Sequence, residues 1–180
     1  DDEDFNEVLY NWKGQCHYTK MIKKISDYNR RSEFIIKVLG SIIKKDKERN
    51  LQIMILAHNK SLIGYLHDAI EHRNIASVGY YVGGMKEKDL KISERKRVII
   101  ATYAMAEEGL DIKSLTTLIM ATPRVDVTQA VGRILRKKHD NAEVYDIIDS
   151  HPVFQRHWKK RLTFYRKQNF RVWQTTSLHF

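Results

Sequence analysis

Gln129, Gly132, Arg133 and Arg136 follow one another at i, i+3, i+4 and i+7. At that spacing side chains share one face of an α-helix. Two guanidiniums one turn apart, beside a primary amide and a residue with no side chain, make a compact surface for an anion. A nucleotide γ-phosphate fits, because arginines can stabilise the charge on a transferring phosphoryl group. A nucleic-acid backbone phosphate fits too, and a solvated helix face with a chance glycine would have the same spacing. Gly132 costs a helix about 1 kcal/mol relative to alanine. That cost is reasonable where a backbone or ligand must come close. Asp126 stands where an N-cap is expected.

The elements that must position this stripe can be read on either side of it. Near-continuous apolar runs occupy 51–57, 97–101 and 115–121, the pattern of strands buried on both faces. Shorter runs lie at 75–82 and 143–148, and amphipathic stretches at 61–71 and 126–138 fall between. Strand alternating with helix predicts an α/β fold: a parallel sheet with helices on both faces. Upstream, 17–48 carries apolar residues at helical spacing and predicts two lead-in helices, the second capped by Ser32. Downstream, Pro152 opens a long basic, aromatic helix to about 170. Its apolar stripe, Phe154, Trp158, Leu162 and Tyr165, predicts docking on the domain. Arg156, Lys159, Lys160, Arg161, Arg166 and Lys167 are expected as a solvated flank that could touch phosphates. The domain is thus expected over 17–180, with its core at about 50–150, after a linker or lead-in over 1–16.

Ligands of open parallel sheets sit beyond the carboxyl ends of the strands. The residues there are His58 and Asn59, Gly83 and Gly84, Thr102, and Thr122 to Arg124. Composition agrees with an anionic partner: Lys and Arg number 32 against 22 Asp and Glu, a net charge of +10, which favours phosphate backbones. The single cysteine, Cys16, excludes a disulfide framework within the chain and fits a reducing, intracellular setting. No apolar run is long enough for an ordinary transmembrane helix, so no membrane partner is expected.

Gln129-Ala130-Val131-Gly132-Arg133-Ile134-Leu135-Arg136 resembles motif VI of superfamily 2 helicases. Upstream, Val98–Thr102 followed by Glu108-Gly109-Leu110-Asp111-Ile112 resembles motif V, and 51–57 with His58-Asn59 resembles motif IV. Motif VI opens on Gln rather than the His of the DEAD-box group, which points to the DExH-like or XPB/UvsW-like side of the superfamily. Glu108 stands where motif V more often has arginine. From Val82 to Asp149 the chain is similar to helicases of large cytoplasmic DNA viruses. That group includes the poxvirus transcript-release DNA helicase and its relatives in African swine fever virus and giant viruses.

This resemblance implies a RecA-like C-terminal helicase domain of an ATP-dependent DNA helicase or translocase. Its role would lie in transcript release or DNA processing, in the host cytoplasm or the virion. Arg133 and Arg136 would be arginine fingers, and Gln129 would orient polar groups at the nucleotide. Gly109, Asp111 and Gly132 would lie at the nucleotide and the interlobe cleft. His58, Asn59, Gly83, Gly84 and Thr102 would line the strand track. Bland alternatives stand beside these: a turn cap for Asp111, a surface histidine at His58, a plain turn at Gly83-Gly84. DNA is the expected partner, with RNA or an RNA–DNA hybrid as alternatives.

A motor also needs a phosphate cradle and a Mg²⁺-binding acid. The nearest string, Gly79-x4-Gly84-Met85-Lys86, misplaces the lysine and lacks the following Ser/Thr, and Asp1–Asp4 follows no apolar strand. ATP and Mg²⁺ are therefore expected mainly on an N-terminal RecA-like lobe outside these residues, and this chain alone is expected to be inactive. No metal ligands are expected in it. A stand-alone nucleic-acid-binding module without ATPase activity is the alternative. A nucleotide-sugar enzyme, which also pairs two α/β lobes, fits the ordered motifs less well.

Overall fold

A computed structural model describes residues 2–48, 51–108, 112–134 and 142–180, with the side chains of Arg133 and Ile134 outside that description. Five strands, β1 (Gln52–Ala57), β2 (Val78–Tyr81), β3 (Val98–Thr102), β4 (Leu115–Met120) and β5 (Glu143–Asp146), form one sheet in the order β2-β3-β1-β4-β5. Every pairing is parallel. The helices are α1 (Glu3–Asn6), α2 (Tyr18–Asp27), α3 (Asn29–Lys45), α4 (Lys60–His72), α5 (Glu87–Ser93), α6 (Tyr103–Glu108), α7 (Thr128–Ile134) and α8 (Pro152–Lys167).

The apolar runs are continuous because both faces of the sheet are covered. Ile53, Ile55 and Ala57 of β1 join Val98, Ile100 and Ile119 under α3 and α4. The alternate residues Met54 and Leu56 join Ile99, Ala101, Leu118 and Met120 under α6, α7 and α8. Strand side chains alternate between faces, so a strand with no polar positions needs helices on each side. A third cluster joins Met21, Ile22 and Ile25 of α2 to Val153 and Phe154 of α8, with Phe5, Leu9 and Cys16 of the lead-in packed against it. Phe5 stacks on Tyr28 at 4.3 Å, and its carbonyl meets His151 Nε2 at 2.6 Å.

Three expectations change. Ser32 is no cap: α3 starts at Asn29 after the single break at Tyr28, and Ser32 is buried inside it. Arg31, one residue before Ser32, also turns inward, to the buried Asp149. Arg161 is not on a solvated flank; it is 1% exposed, paired with Asp146 beneath α8. The run at 75–82 gives a strand of only four residues, Val78–Tyr81. Inside it Gly79 lies so close to α5 that a Cβ there would stand 2.8 Å from Ser93 Oγ. Gly79 is therefore a packing glycine inside β2.

Candidate nucleotide- and nucleic-acid-facing edge

β1 and β4 are neighbours, yet the chain leaves them in opposite directions, towards β2 and towards β5. Such a divergence opens a crevice at the carboxyl edge, where open parallel sheets take their ligands. His58, just after β1, and Thr122, just after β4, meet in it. The Thr122 hydroxyl accepts the His58 amide at 3.0 Å and lies 2.7 Å from the ring Nδ1. The ring also leans on Tyr103, centroids 4.8 Å apart. Burial, reinforced by the Arg124 charge, holds the His58 pKa down at about 4. His58 is therefore a neutral, ordered ring at neutral pH rather than a loose surface side chain. Beside it, Asn59 Oδ1 is buried with no hydrogen-bond donor among the described residues.

The β4–α7 loop carries the chain to the candidate stripe, and side chains from four helices hold its successive carbonyls. Arg31 of α3 donates to Ala121 O at 2.6 Å, and Tyr103 of α6 to Thr122 O at 2.6 Å. Tyr18 of α2 donates to Pro123 O at 2.9 Å, and Arg161 of α8 to Arg124 O at 2.8 Å. Buried loop carbonyls must find donors; here three come from α3, α6 and α8, which pack on the sheet, and the fourth from α2, which packs on α8. Both arginines are fixed again by carboxylates, Arg31 by Asp149 at 2.6 and 2.9 Å and Arg161 by Asp146 at 2.7 and 2.9 Å. None of these four donors stands out in a search for catalytic residue types. Periodicity was the available signal for the arginines: Arg31 lies four residues before Ile35, and Arg161 three after Trp158, each on the apolar stripe of its helix.

Arg124 itself turns to α6. Its Nη2 donates to Glu107 at 2.7 Å and its guanidinium lies 5.1 Å from the Tyr103 ring centroid. Asp126 accepts the Thr128 amide at 2.9 Å and closes the turn into α7. Hydrogen bonds from the backbone and side chain of Thr128 lower the Asp126 pKa. On α7, Ala130 and Val131 face the core, while Gln129 is exposed. A Cβ on Gly132 would meet nothing within 4 Å, so nothing described in this chain requires a glycine there.

The expected residues are thus distributed along one edge. His58, Asn59, Thr102 and the start of α7 come from the strand ends around the crevice. Thr102 Oγ1 accepts the Met105 amide at 3.4 Å. Gly83 and Gly84 form the exposed turn after the edge strand β2, with Gly84 at φ +88°, where a side chain would be strained. Gly109, Asp111 and Arg136 lie outside the described residues, as does the Arg133 side chain. Among the described residues no three His, Cys, Asp or Glu side chains stand together as a metal site, and no helix is long and apolar enough to cross a membrane.

No family model matches the chain. It is 34% identical over 159 residues to a mimivirus protein provisionally named an ATP-dependent RNA helicase, covering 86% of this chain and 30% of that protein. It is 26% identical over 157 residues to the ATP-dependent DNA helicase UvsW of Enterobacteria phage T4, covering 81% of this chain and 30% of UvsW. An African swine fever virus protein, provisionally named an ATP-dependent RNA helicase, matches at 27% over 57% of this chain and 21% of its own length. The chain spans about a third or less of these relatives. Among solved structures, phage T4 UvsW superposes with a TM-score of 0.67 at 23% identity, over 87% of this chain and 36% of UvsW. The C-terminal domain of the DEAD-box protein Dbp5 gives 0.58 at 12% identity, over 76% of this chain and 80% of that domain. The chain is thus similar to helicase proteins of large DNA viruses and of phage T4, and it has the RecA-like fold seen in helicase C-terminal domains.

Proposed function

We propose that this chain is the C-terminal half of an ATP-dependent nucleic-acid helicase or translocase, acting on ATP presented by a second RecA-like lobe. One observation carries the reading most directly. α7 leaves a loop held by four side chains at the ligand edge, with Gln129 exposed and Gly132 open on the outside. A rigid approach suits residues that must meet a phosphate brought from elsewhere, because catalysis of phosphoryl transfer is mostly positioning and charge stabilisation.

In this reading Arg133 and Arg136 stabilise charge on the transferring phosphoryl group, and Gln129 orients polar groups beside it. Gly132 lets the opposing lobe approach, and Gly109 and Asp111 sit at the nucleotide side of the cleft. Mg²⁺ and the triphosphate are held mainly by the other lobe. Nucleic acid runs along His58, Asn59, Gly83, Gly84 and Thr102. DNA is the expected strand, and transcript release or DNA processing in a virus the expected setting.

The test is made in the full-length parent. Arg133→Ala and Arg136→Ala should each lower kcat by about a thousandfold, as loss of an arginine finger does, while ATP and DNA binding persist. Unchanged turnover in both variants removes the finger assignment. The 180-residue chain alone should hydrolyse no ATP, and nucleic-acid-stimulated turnover by it would overturn the two-lobe reading. A parent reading frame without a phosphate-binding lobe would favour a stand-alone binding module.

A further inference from the structure

Residues 10–16 form a small hairpin that the proposed strand track does not use. Tyr10 and Cys16 make an antiparallel bridge, and the Asn11 amide donates to Gln15 O at 2.8 Å. Asn11 Oδ1 accepts the Lys13 and Gln15 amides at 2.9 and 3.0 Å, and Gly14 takes φ +70° at the tip. Leu9 and Cys16 anchor the hairpin in the apolar cluster below. Trp12 is thus held 89% exposed on an ordered turn, with Tyr10 63% exposed beside it.

Exposing an indole on a rigid turn leaves apolar surface in water, and the surroundings indicate what covers it. Lys13 Nζ lies 4.7 Å from the Trp12 ring centroid, and the hairpin borders an open cavity of about 600 Å³ lined also by His17, Tyr18 and Lys20. From residue 10 to 24 there are four lysines and no carboxylate. Lys23 and Lys24 pair with Asp27 and Glu7, whereas Lys13 and Lys20 pair with no carboxylate among the described residues. Aromatic faces interleaved with cations are the chemistry that holds unpaired bases and their phosphates. The cavity also adjoins the site edge, because Tyr18 donates to Pro123 O in the β4–α7 loop.

We infer that the 10–16 hairpin, with the start of α2, is a stacking site for an unpaired nucleic-acid strand, with a base on Trp12 and phosphates at Lys13 and Lys20. The inference rests on the nucleic-acid reading proposed above. A strand held there would bear on the loop that orients α7.

The test uses this chain with Trp173→Phe, which leaves Trp12 as the exposed tryptophan, since Trp158 is buried. Oligo(dT) of about 20 nucleotides, enough to fill such a site, should quench Trp12 emission, and the matching duplex should not. Trp12→Ala should weaken oligo(dT) binding about tenfold, within the range of one stacked base, and Trp12→Phe should retain most of it. Lys13→Ala with Lys20→Ala should weaken binding and flatten its salt dependence. Stronger quenching by oligo(U) or by oligo(dT) identifies which strand the hairpin takes. If Trp12→Ala binds like the parent chain while His58→Ala and Thr102→Ala bind less, the hairpin inference fails and the strand track stands. If Trp12 is quenched while those two variants are unaffected, the hairpin stands and the track fails. Absence of binding to every oligonucleotide overturns both.

Discussion

Arg161 and Asp146 form a buried two-point pair, Nε to Oδ2 at 2.7 Å and Nη2 to Oδ1 at 2.9 Å, and the third arm of the same guanidinium holds the carbonyl of Arg124. The side chains are 0% and 7% exposed, and Tyr165 adds a hydroxyl to Asp146 at 3.1 Å. The pair ties the end of β5 to α8 and to the loop that leads into α7. It thereby joins the last strand, the last helix and the candidate phosphate-facing helix in one polar cluster under an apolar roof.

Removing one partner should be far more damaging than removing both. Asp146→Ala leaves a buried guanidinium uncompensated and should cost about 3–5 kcal/mol. Arg161→Met strands the carboxylate and should cost a similar amount. Arg161→Met with Asp146→Leu should recover most of the loss, because apolar groups of similar volume need no partner. Urea unfolding of the three variants checks this. Single variants within 1 kcal/mol of the parent chain would show the pair to be unimportant for stability.

Arg31 and Asp149 repeat the arrangement on the other side of the sheet, with side chains 5% and 4% exposed. Arg31→Lys keeps the charge but loses the planar fork that reaches both carboxylate oxygens and Ala121 O together. The cost should be about 2 kcal/mol, seen as a fall in Tm of about 4–8 °C for a chain of this size. An unchanged Tm would mean that the lysine reaches the same acceptors.

The two buried arginines show what the sequence made legible and what it hid. The strands announce themselves because burial on both faces forbids polar residues, and β1, β3 and β4 lie within a residue of their apolar runs. The helix α7 is legible too, because Gln129, Gly132 and Arg133 share a helical period and Thr128–Ile134 is helical. Arg161 sits in a basic run and reads as solvent-facing, although it lies three positions after Trp158, on the buried stripe. Its carboxylate comes from β5 and its carbonyl from the loop after β4, and no local pattern encodes that meeting. Tyr18 and Tyr103 are hidden likewise, each bonded to a carbonyl 105 or 19 residues away.

His58 should make stability fall as the solution is acidified. Its folded pKa is held down at about 4 from the ordinary 6.5 by burial and by Arg124. Between those values the unfolded chain takes up a proton that the folded ring refuses, so stability is full above about pH 6.5 and declines towards pH 4. The loss over that window should be at most about 3 kcal/mol. His157, whose pKa is lowered by burial and by Arg161, Lys160 and Arg156, contributes in the same direction. His58→Gln should remove part of the slope between pH 6.5 and 4, and His157→Gln a separate part. A slope unchanged in His58→Gln would mean that the ring accepts its proton in the folded chain.

Gly79 and Gly132 should respond to alanine in opposite senses. A Cβ at Gly79 would stand 2.8 Å from Ser93 Oγ and 3.0 Å from its Cα, so β2 or α5 must shift. Gly79→Ala should cost about 1–3 kcal/mol, the range for overpacking, and Ser93→Gly should relieve part of it by removing Oγ and Cβ. At Gly132 a Cβ meets nothing within 4 Å, and alanine favours the helix by about 1 kcal/mol. Gly132→Ala should therefore leave this chain as stable or slightly more stable by urea unfolding. The same change should lower ATP turnover in the full-length parent if another lobe closes against that face. Full activity there would mean that Gly132 gives no clearance to a partner.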